Sequence, residues 1–396
     1  MSPGGARGTG ERIAAARKLR RMTQAELAEA AAISVSLLRK IEQGTRPVTP
    51  GVWSSIARAL GLDISESADD AWSAGSRVSA AIPHIRCALD CYDLPDDGPI
   101  PPLPDLRAAT GKATACRLAA QYTSLADTLP ELIAELTRAA HGHTGHDQET
   151  AFGLLALAYR AADAICDKFG YPDLSARTIE LLRWAAARSG DPALVGVAAY
   201  VRAETFFSNQ RPAAGLRALD AASGPLVADG SREALAIYGS LRMRGGVLAA
   251  CAGLPEVAES HLAEARDVGR HVPEAAYRGT AFGLSSVRIH EVAAAAEMGD
   301  SQAVLRKAAG WQPPLTVPAE RRSHFFIELA RAQLWAGRRD DAIASLHAAR
   351  RIAPQHTRHN PLVHETARTL ILLQRHASDT LLGFARWAGI GGQQEK

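Results

Sequence analysis

An all-α fold is the expectation for this 396-residue chain, and three features of the sequence carry it. From Glu11 to about residue 390 apolar residues recur at helical spacing, with no convincing alternating run of the kind a half-buried strand needs. Residues 23–44 hold two short helical segments joined by a tight turn. Turn signals centred near Gly170, Gln210, Gly253, Gly299 and Gly337 then recur at intervals of 40, 43, 46 and 38 residues. A loose period of that size marks stacked helical hairpins.

Residues 1–10 (MSPGGARGTG) are glycine-rich and are expected to form a disordered tail. Four short helices fill 11–62. The first is expected over Glu11–Arg21. The second opens at Thr23 with Glu26 three residues on, a capping box that satisfies two amide donors. The third opens at Ser34 and stops at Gly44, a residue suited to a left-handed C-terminal cap. The fourth has Thr49 as N-cap, Pro50 as first helical residue and Gly61 past its end. Ile13, Ala16, Leu27, Ile33, Leu38, Ile41, Ile56 and Leu60 fall on inward faces, so 11–64 closes a small core of its own.

Residues 65–104 read as a linker with one helix near Arg77–Tyr92, broken by LPDDGPIPPLPD. Alanine-rich amphipathic helices in pairs fill 105–390, beginning near Ala113–His141.

The net charge of +3 is unevenly spread. Residues 1–64 carry ten cations against five anions, and the remainder 35 against 37. The basic excess thus sits in one small module, the footprint expected of a domain that meets phosphates. Five dispersed cysteines suggest no disulfide framework, although Cys87 and Cys91 would share a helix face. No apolar stretch approaches a membrane span and the N-terminus has no apolar signal core, so a cytoplasmic protein without membrane contact is expected.

Thr23–Gly44 (TQAELAEAAAISVSLLRKIEQG) carries the main functional signal. Its spacing sets two short helices about a three-residue turn and exposes the start of the second to a major groove. The segment resembles the XRE (Cro/CI-like repressor) family over about 11–64. Thr23, Gln24, Glu26, Leu27, Ala28, Ile33, Ser34, Leu38, Ile41, Glu42 and Gly44 stand at that family's characteristic positions. The resemblance implies a lambda-repressor-like helix-turn-helix domain that binds a double-stranded DNA operator. It makes Gln24 a phosphate ligand, and it makes Ser34, Val35, Ser36, Arg39 and Lys40 the groove-facing residues. Arg46 becomes a further phosphate contact, and Arg17 and Glu42 a structural ion pair. Val35 and Leu37 depart from the family, where polar or basic residues are common. Valine can touch a thymine methyl but makes no bidentate hydrogen bond, so direct base reading is thin.

His324–Pro354 resembles a tetratricopeptide repeat (TPR), with Phe326, Leu329, Ala330, Gly337, Ala342, Leu346, Ala349 and Pro354 at signature positions. Elsewhere the match is diffuse, so 105–390 reads as a TPR-like α-solenoid. Carrying the family's groove positions over gives Tyr200, Glu204, Phe207, Met243, Val247, His324, Arg331 and Trp335 as a candidate ligand groove. The combined architecture resembles peptide-responsive regulators of Gram-positive bacteria, here of actinobacterial type. It implies a transcriptional regulator whose repeats dimerise the protein and sense a peptide, small-molecule or protein signal. An alternative is a TPR-like interaction scaffold with incidental DNA binding.

The His141, His143 and His146 run lies in a polar turn without a carboxylate or cysteine at ligand spacing, so no metal is expected. No phosphate loop, nucleophile elbow or paired catalytic carboxylates appear, so neither an enzyme nor a cofactor is expected.

Overall fold

The capping box forms as the sequence dictates. Thr23 Oγ1 accepts from the Glu26 amide at 3.2 Å, while the Glu26 carboxylate accepts from the Thr23 amide at 2.6 Å. These bonds open α1 (Gln24–Ala30); α2 (Val35–Glu42) begins behind Ser34, whose Oγ accepts from the Leu37 amide at 3.1 Å. Gly44 ends α2 with φ +70°. Its amide donates to the Ile41 carbonyl and that of Thr45 to the Lys40 carbonyl, the paired bonds of a left-handed glycine cap.

The computed structural model describes residues 10, 13–14, 16–18, 20, 22–31, 33–46, 52, 55–56, 59–60, 75–374 and 378–390. The chain divides into two compact units, residues 1–88 and 89–396. The expected helix ends at Glu11, Arg21, Thr49, Pro50 and Gly61 lie outside the described residues, as does the tail over 1–9.

In the first unit Ile13, Ala16, Leu27, Leu38, Ile41, Ile56 and Leu60 are buried together, with Ile33 and Leu37 packed against them. Gly10, expected in the tail, is instead helical and buried. A Cβ there would stand 1.9 Å from the Ile41 carbonyl oxygen, so the chain can approach α2 only as glycine. A further helix, α3, spans Gly75–Asp90.

The second unit is built of consecutive antiparallel helices. In order they are α4 (Leu103–Leu118), α5 (Tyr122–Gly142), α6 (Gly145–Lys168), α7 (Pro172–Arg188), α8 (Pro192–Ser208), α9 (Pro212–Asp229), α10 (Arg232–Cys251) and α11 (Pro255–Gly269). After a short hairpin come α12 (Leu284–Glu297), α13 (Ser301–Ala308), α14 (Ala319–Trp335), α15 (Arg339–Ile352), α16 (Pro354–Arg358), α17 (Pro361–Leu372) and α18 (Asp379–Ala388). The fold is therefore all-α, a helix-turn-helix domain followed by a helical-repeat region.

One local device repeats between these helices. Gly170, Gly190, Gln210 and Gly253 take the left-handed conformation, and a proline two residues later (Pro172, Pro192, Pro212, Pro255) opens the next helix. The left-handed residue stops one helix and the preset φ of proline starts the other. Gln210 is the exception in side chain, at φ +54°. Gln210→Gly removes that strain, at some cost in chain entropy, and should raise stability by about 0.5–1 kcal/mol, read as an upward shift of the urea midpoint.

The segment read as the end of a linker packs onto this unit. Arg138 donates to the Pro99 carbonyl at 3.0 Å, and the Tyr92 ring meets Trp184 edge-on at 5.1 Å. Helices distant in sequence also meet within this unit. Thr123 at the start of α5 donates its amide to Gln355 Oε1 at 3.0 Å, and the rings of Phe169 and His359 lie 4.5 Å apart.

Sequence periodicity missed one element. Ala275–Tyr277 (β1) and Thr280–Phe282 (β2) pair antiparallel, Ala275 opposite Phe282, around Arg278 and Gly279, both at positive φ. Three-residue strands are too short for alternation to show, and the Arg-Gly pair was the available sign. The hairpin is held from inside: Arg117 donates to the Gly279 carbonyl, and Arg160 to the Arg278 carbonyl and Thr280 Oγ1. Phe282, fully buried, fits because residue 239 on α10 has no side chain. A Cβ at Gly239 would come within 2.1 Å of the ring. Gly239→Ala should cost about 1–3 kcal/mol by overpacking, measured by denaturant unfolding.

Candidate nucleic-acid interface

Helix α2 separates its residues by side. Leu38, Ile41 and Glu42 are buried and Leu37 leans on the same core. Ser34, Val35, Ser36, Arg39 and Lys40 are exposed, Val35 at 37 %. Positions 35, 36, 39 and 40 share one face because residues three and four apart align on a helix. The side chains of Arg39, Lys40 and Arg46 make no ion pair or hydrogen bond among the described residues, so their donors are available to a partner. The Ser34 hydroxyl already accepts the cap bond, which leaves its proton to donate.

The face is held by a buried ion pair behind it. Arg17 Nε and Nη2 reach the two Glu42 carboxylate oxygens at 2.8 and 2.9 Å, and Arg17 Nη1 donates to the Met22 carbonyl at 2.9 Å. Burial would raise the Glu42 carboxyl, but the hydrogen bonds from Arg17 and Gln24 outweigh it and hold it below the usual carboxylate range. The resemblance predicted this pair; it did not predict its third member. Gln24 Nε2 donates to Glu42 Oε2 at 2.7 Å, so the expected phosphate ligand has one amide proton committed inward. It keeps a second proton, at the first position of α1, where backbone amides also point outward.

The eight residues expected to line a groove in the repeat region separate into two groups. Tyr200, Glu204, His324 and Arg331 belong to an internal polar network. Arg244 donates to Glu204 at 2.6 Å, and Arg331 donates to Glu328 at 2.7 Å and to Glu297 at 3.4 Å. His324 sits 3.7 Å from Glu328, and burial pulls its imidazole down to about 3. Burial likewise lifts the Glu328 carboxyl to about 7. Phe207 and Trp335 are on the open surface, Trp335 beneath the Arg331 guanidinium at 4.9 Å. Met243 and Val247 correct the expectation. Met243 is fully buried, and Val247 packs with Ala249, Ala258 and Leu262, so neither offers a face to a ligand. Val247 lies on the side of α10 that meets α11 and α12, where tertiary packing and not repeat register sets the facing.

Sequence reasoning missed Arg160, Lys168, Arg244, Glu320 and Arg321, which accompany Tyr200 and Glu204. The available signal was arginine inside an apolar helical run, one in LLALAYRAADAIC and two in GSLRMRGGVLAAC. Among the described residues no group of histidine, cysteine and carboxylate side chains has metal-holding geometry, and no helix is long and apolar enough to cross a membrane. His141 instead touches the Tyr92 carbonyl at 3.0 Å, and His146 is exposed beside Glu149.

Two capped helices about a tight turn, with a cationic outer face on the second, define a helix-turn-helix protein of the DNA-binding, transcription-regulator type. Residues 13–67 match the family model described as Helix-turn-helix, over the segment where the sequence resembles the XRE repressors. No curated protein and no solved structure matches the chain.

Proposed function

We propose that the chain is a sequence-specific transcriptional regulator acting in the cytoplasm as a homodimer on a two-half-site operator. Gln24 and Arg46 meet phosphates, while Ser34, Val35, Ser36, Arg39 and Lys40 enter the major groove. The observation that supports this best is the exposed Arg39 and Lys40, unpaired among the described residues, on a helix whose opposite side is anchored by Arg17 and Glu42. One such module has a small contact area, so pairing is the economical route to useful affinity. The TPR-like repeats, from about residue 105 to 390, supply the dimer contact and receive a peptide, small-molecule or protein signal. Such a signal shifts operator affinity only by binding one state of the protein better than another.

Selection of random duplexes by the full chain at physiological salt, followed by sequencing, should recover an enriched two-part motif. Uniform recovery of all sequences would remove the regulator reading, because incidental electrostatic binding fades for all DNA alike as salt rises. Gln24→Ala should weaken binding to selected and unrelated duplexes by a similar factor, since a phosphate contact carries no sequence information. A loss confined to the selected motif would contradict that role.

A further inference from the structure

The interior of the repeat region holds more positive charge than its own carboxylates neutralise. Arg160, Arg244 and Arg321 arise from α6, α10 and α14 and converge on one ring. Their guanidinium carbons lie 5.9, 4.5 and 5.7 Å from the centre of Tyr200. Lys168 and Arg117 share the same field. Facing these cations are Asp167 on Lys168, Glu204 on Arg244, and Glu320. Burial would raise the Glu320 carboxyl, yet Lys168 and its other cationic neighbours hold it at about 2. Asp163 adds no negative charge near neutral pH, because burial and the neighbouring Glu204 lift it to about 8. Five cations thus meet three ionised carboxylates, and like charges in a low-dielectric interior repel strongly unless an anion joins them.

Two donors point to that anion. Arg244 Nε is buried with no hydrogen-bond partner, although Nη2 of the same guanidinium reaches Glu204. His356, only 3 % exposed, also leaves Nε2 unpartnered; when the Tyr122 hydroxyl donates to its Nδ1, Nε2 carries the ring proton, and the ring feels the charges of Glu320, Lys168 and Arg321. The cluster is reachable from solvent. The side chains of Lys168, Glu204 and His324 keep 25, 35 and 32 % of their surface accessible, although burial is the largest single influence on the titration of each. The Tyr200 hydroxyl accepts from Arg321 and has its own proton left to donate.

We propose that the cluster around Tyr200, formed by Arg160, Arg244, Arg321 and Lys168, binds the dianionic phosphoryl group of a small molecule. With Arg117 counted, cations outnumber the ionised carboxylates by two, the charge of a phosphomonoester dianion, and guanidinium forks match phosphate oxygens in pairs. The site rests on the reading of the repeats as the signal-receiving region and gives that signal a chemistry.

Calorimetric titration of the full chain with inorganic phosphate, against chloride at matched ionic strength, tests it. One saturable phosphate site per chain is expected. Its affinity should fall about tenfold or more in Arg321→Lys, which keeps the charge but loses the planar fork. Arg244→Gln should weaken it similarly; if that variant fails to fold, Arg321→Lys and the wild-type titration still decide. The Arg39→Ala/Lys40→Ala variant should bind phosphate as the wild type does, which excludes the DNA-facing cations as the site. No saturable binding, equal binding by Arg321→Lys, or acetate binding as well as phosphate would overturn the proposal. Operator affinity measured in the same samples separates the two readings. Phosphate binding without any change in operator affinity keeps the site and removes its sensing role, whereas intact operator binding without phosphate binding removes the site alone.

Discussion

Glu42→Ala is expected to destabilise the helix-turn-helix domain by about 3–5 kcal/mol, enough to leave it largely unfolded at ordinary temperature. The substitution strands the Arg17 guanidinium, whose side chain is 10 % exposed, and leaves the Gln24 amide without its acceptor. Replacing both partners by apolar residues, Arg17→Met with Glu42→Leu, should recover most of the loss, because the desolvation cost of both ions disappears together. Denaturant unfolding of the four members of this cycle gives the coupling directly. If Glu42→Ala changed the midpoint little, the pair would not be what holds α2. The same carboxyl sets a pH dependence. Its pKa is lowered in the folded domain, so its contribution is fully present above the unfolded value near 4.3 and is lost as pH falls through the lower folded value. Unfolding followed from pH 6 to 2 should show stability falling in that acid range in the wild type, and a flatter profile in the apolar double variant.

Arg39→Ala combined with Lys40→Ala is expected to abolish preference for the selected operator while leaving the fold intact. Both side chains are exposed and unpaired within the described residues, so their removal strands no buried group. Each good base or phosphate contact is worth about 1–3 kcal/mol, so losing two should cost on the order of a hundredfold or more in affinity. The slope of affinity against salt should also shrink, by about one for each phosphate contact removed. Fluorescence anisotropy with the selected and a scrambled duplex, at several salt concentrations, measures both effects. An unchanged ratio between the two duplexes would remove α2 as the reading helix.

Much of the first unit was legible in the chain. Thr23 and Glu26, Ser34, and Gly44 each announce a helix boundary by local chemistry, and all three form as expected. Arg17 and Glu42 were legible only through resemblance, because nothing between neighbouring residues shows that positions 25 apart will meet. In the repeat region the turn signals at Gly170, Gln210, Gly253, Gly299 and Gly337 marked breaks between helices, and all five take the left-handed conformation. They did not place Met243 and Val247, whose facing depends on the local twist of each pair.

Local rules determined by themselves where helices start and stop, which faces are apolar, and that the basic excess lies in one small module. Those properties depend on residues within a turn or two of each other, and the sequence displays such neighbours directly. Only the tertiary structure decided that Gln24 would turn toward Glu42, that a buried hairpin would lean on Arg117 and Arg160, and that three arginines would meet at Tyr200. Those contacts join residues from 18 to 162 positions apart, so they exist only once each unit has folded and brought its distant helices together.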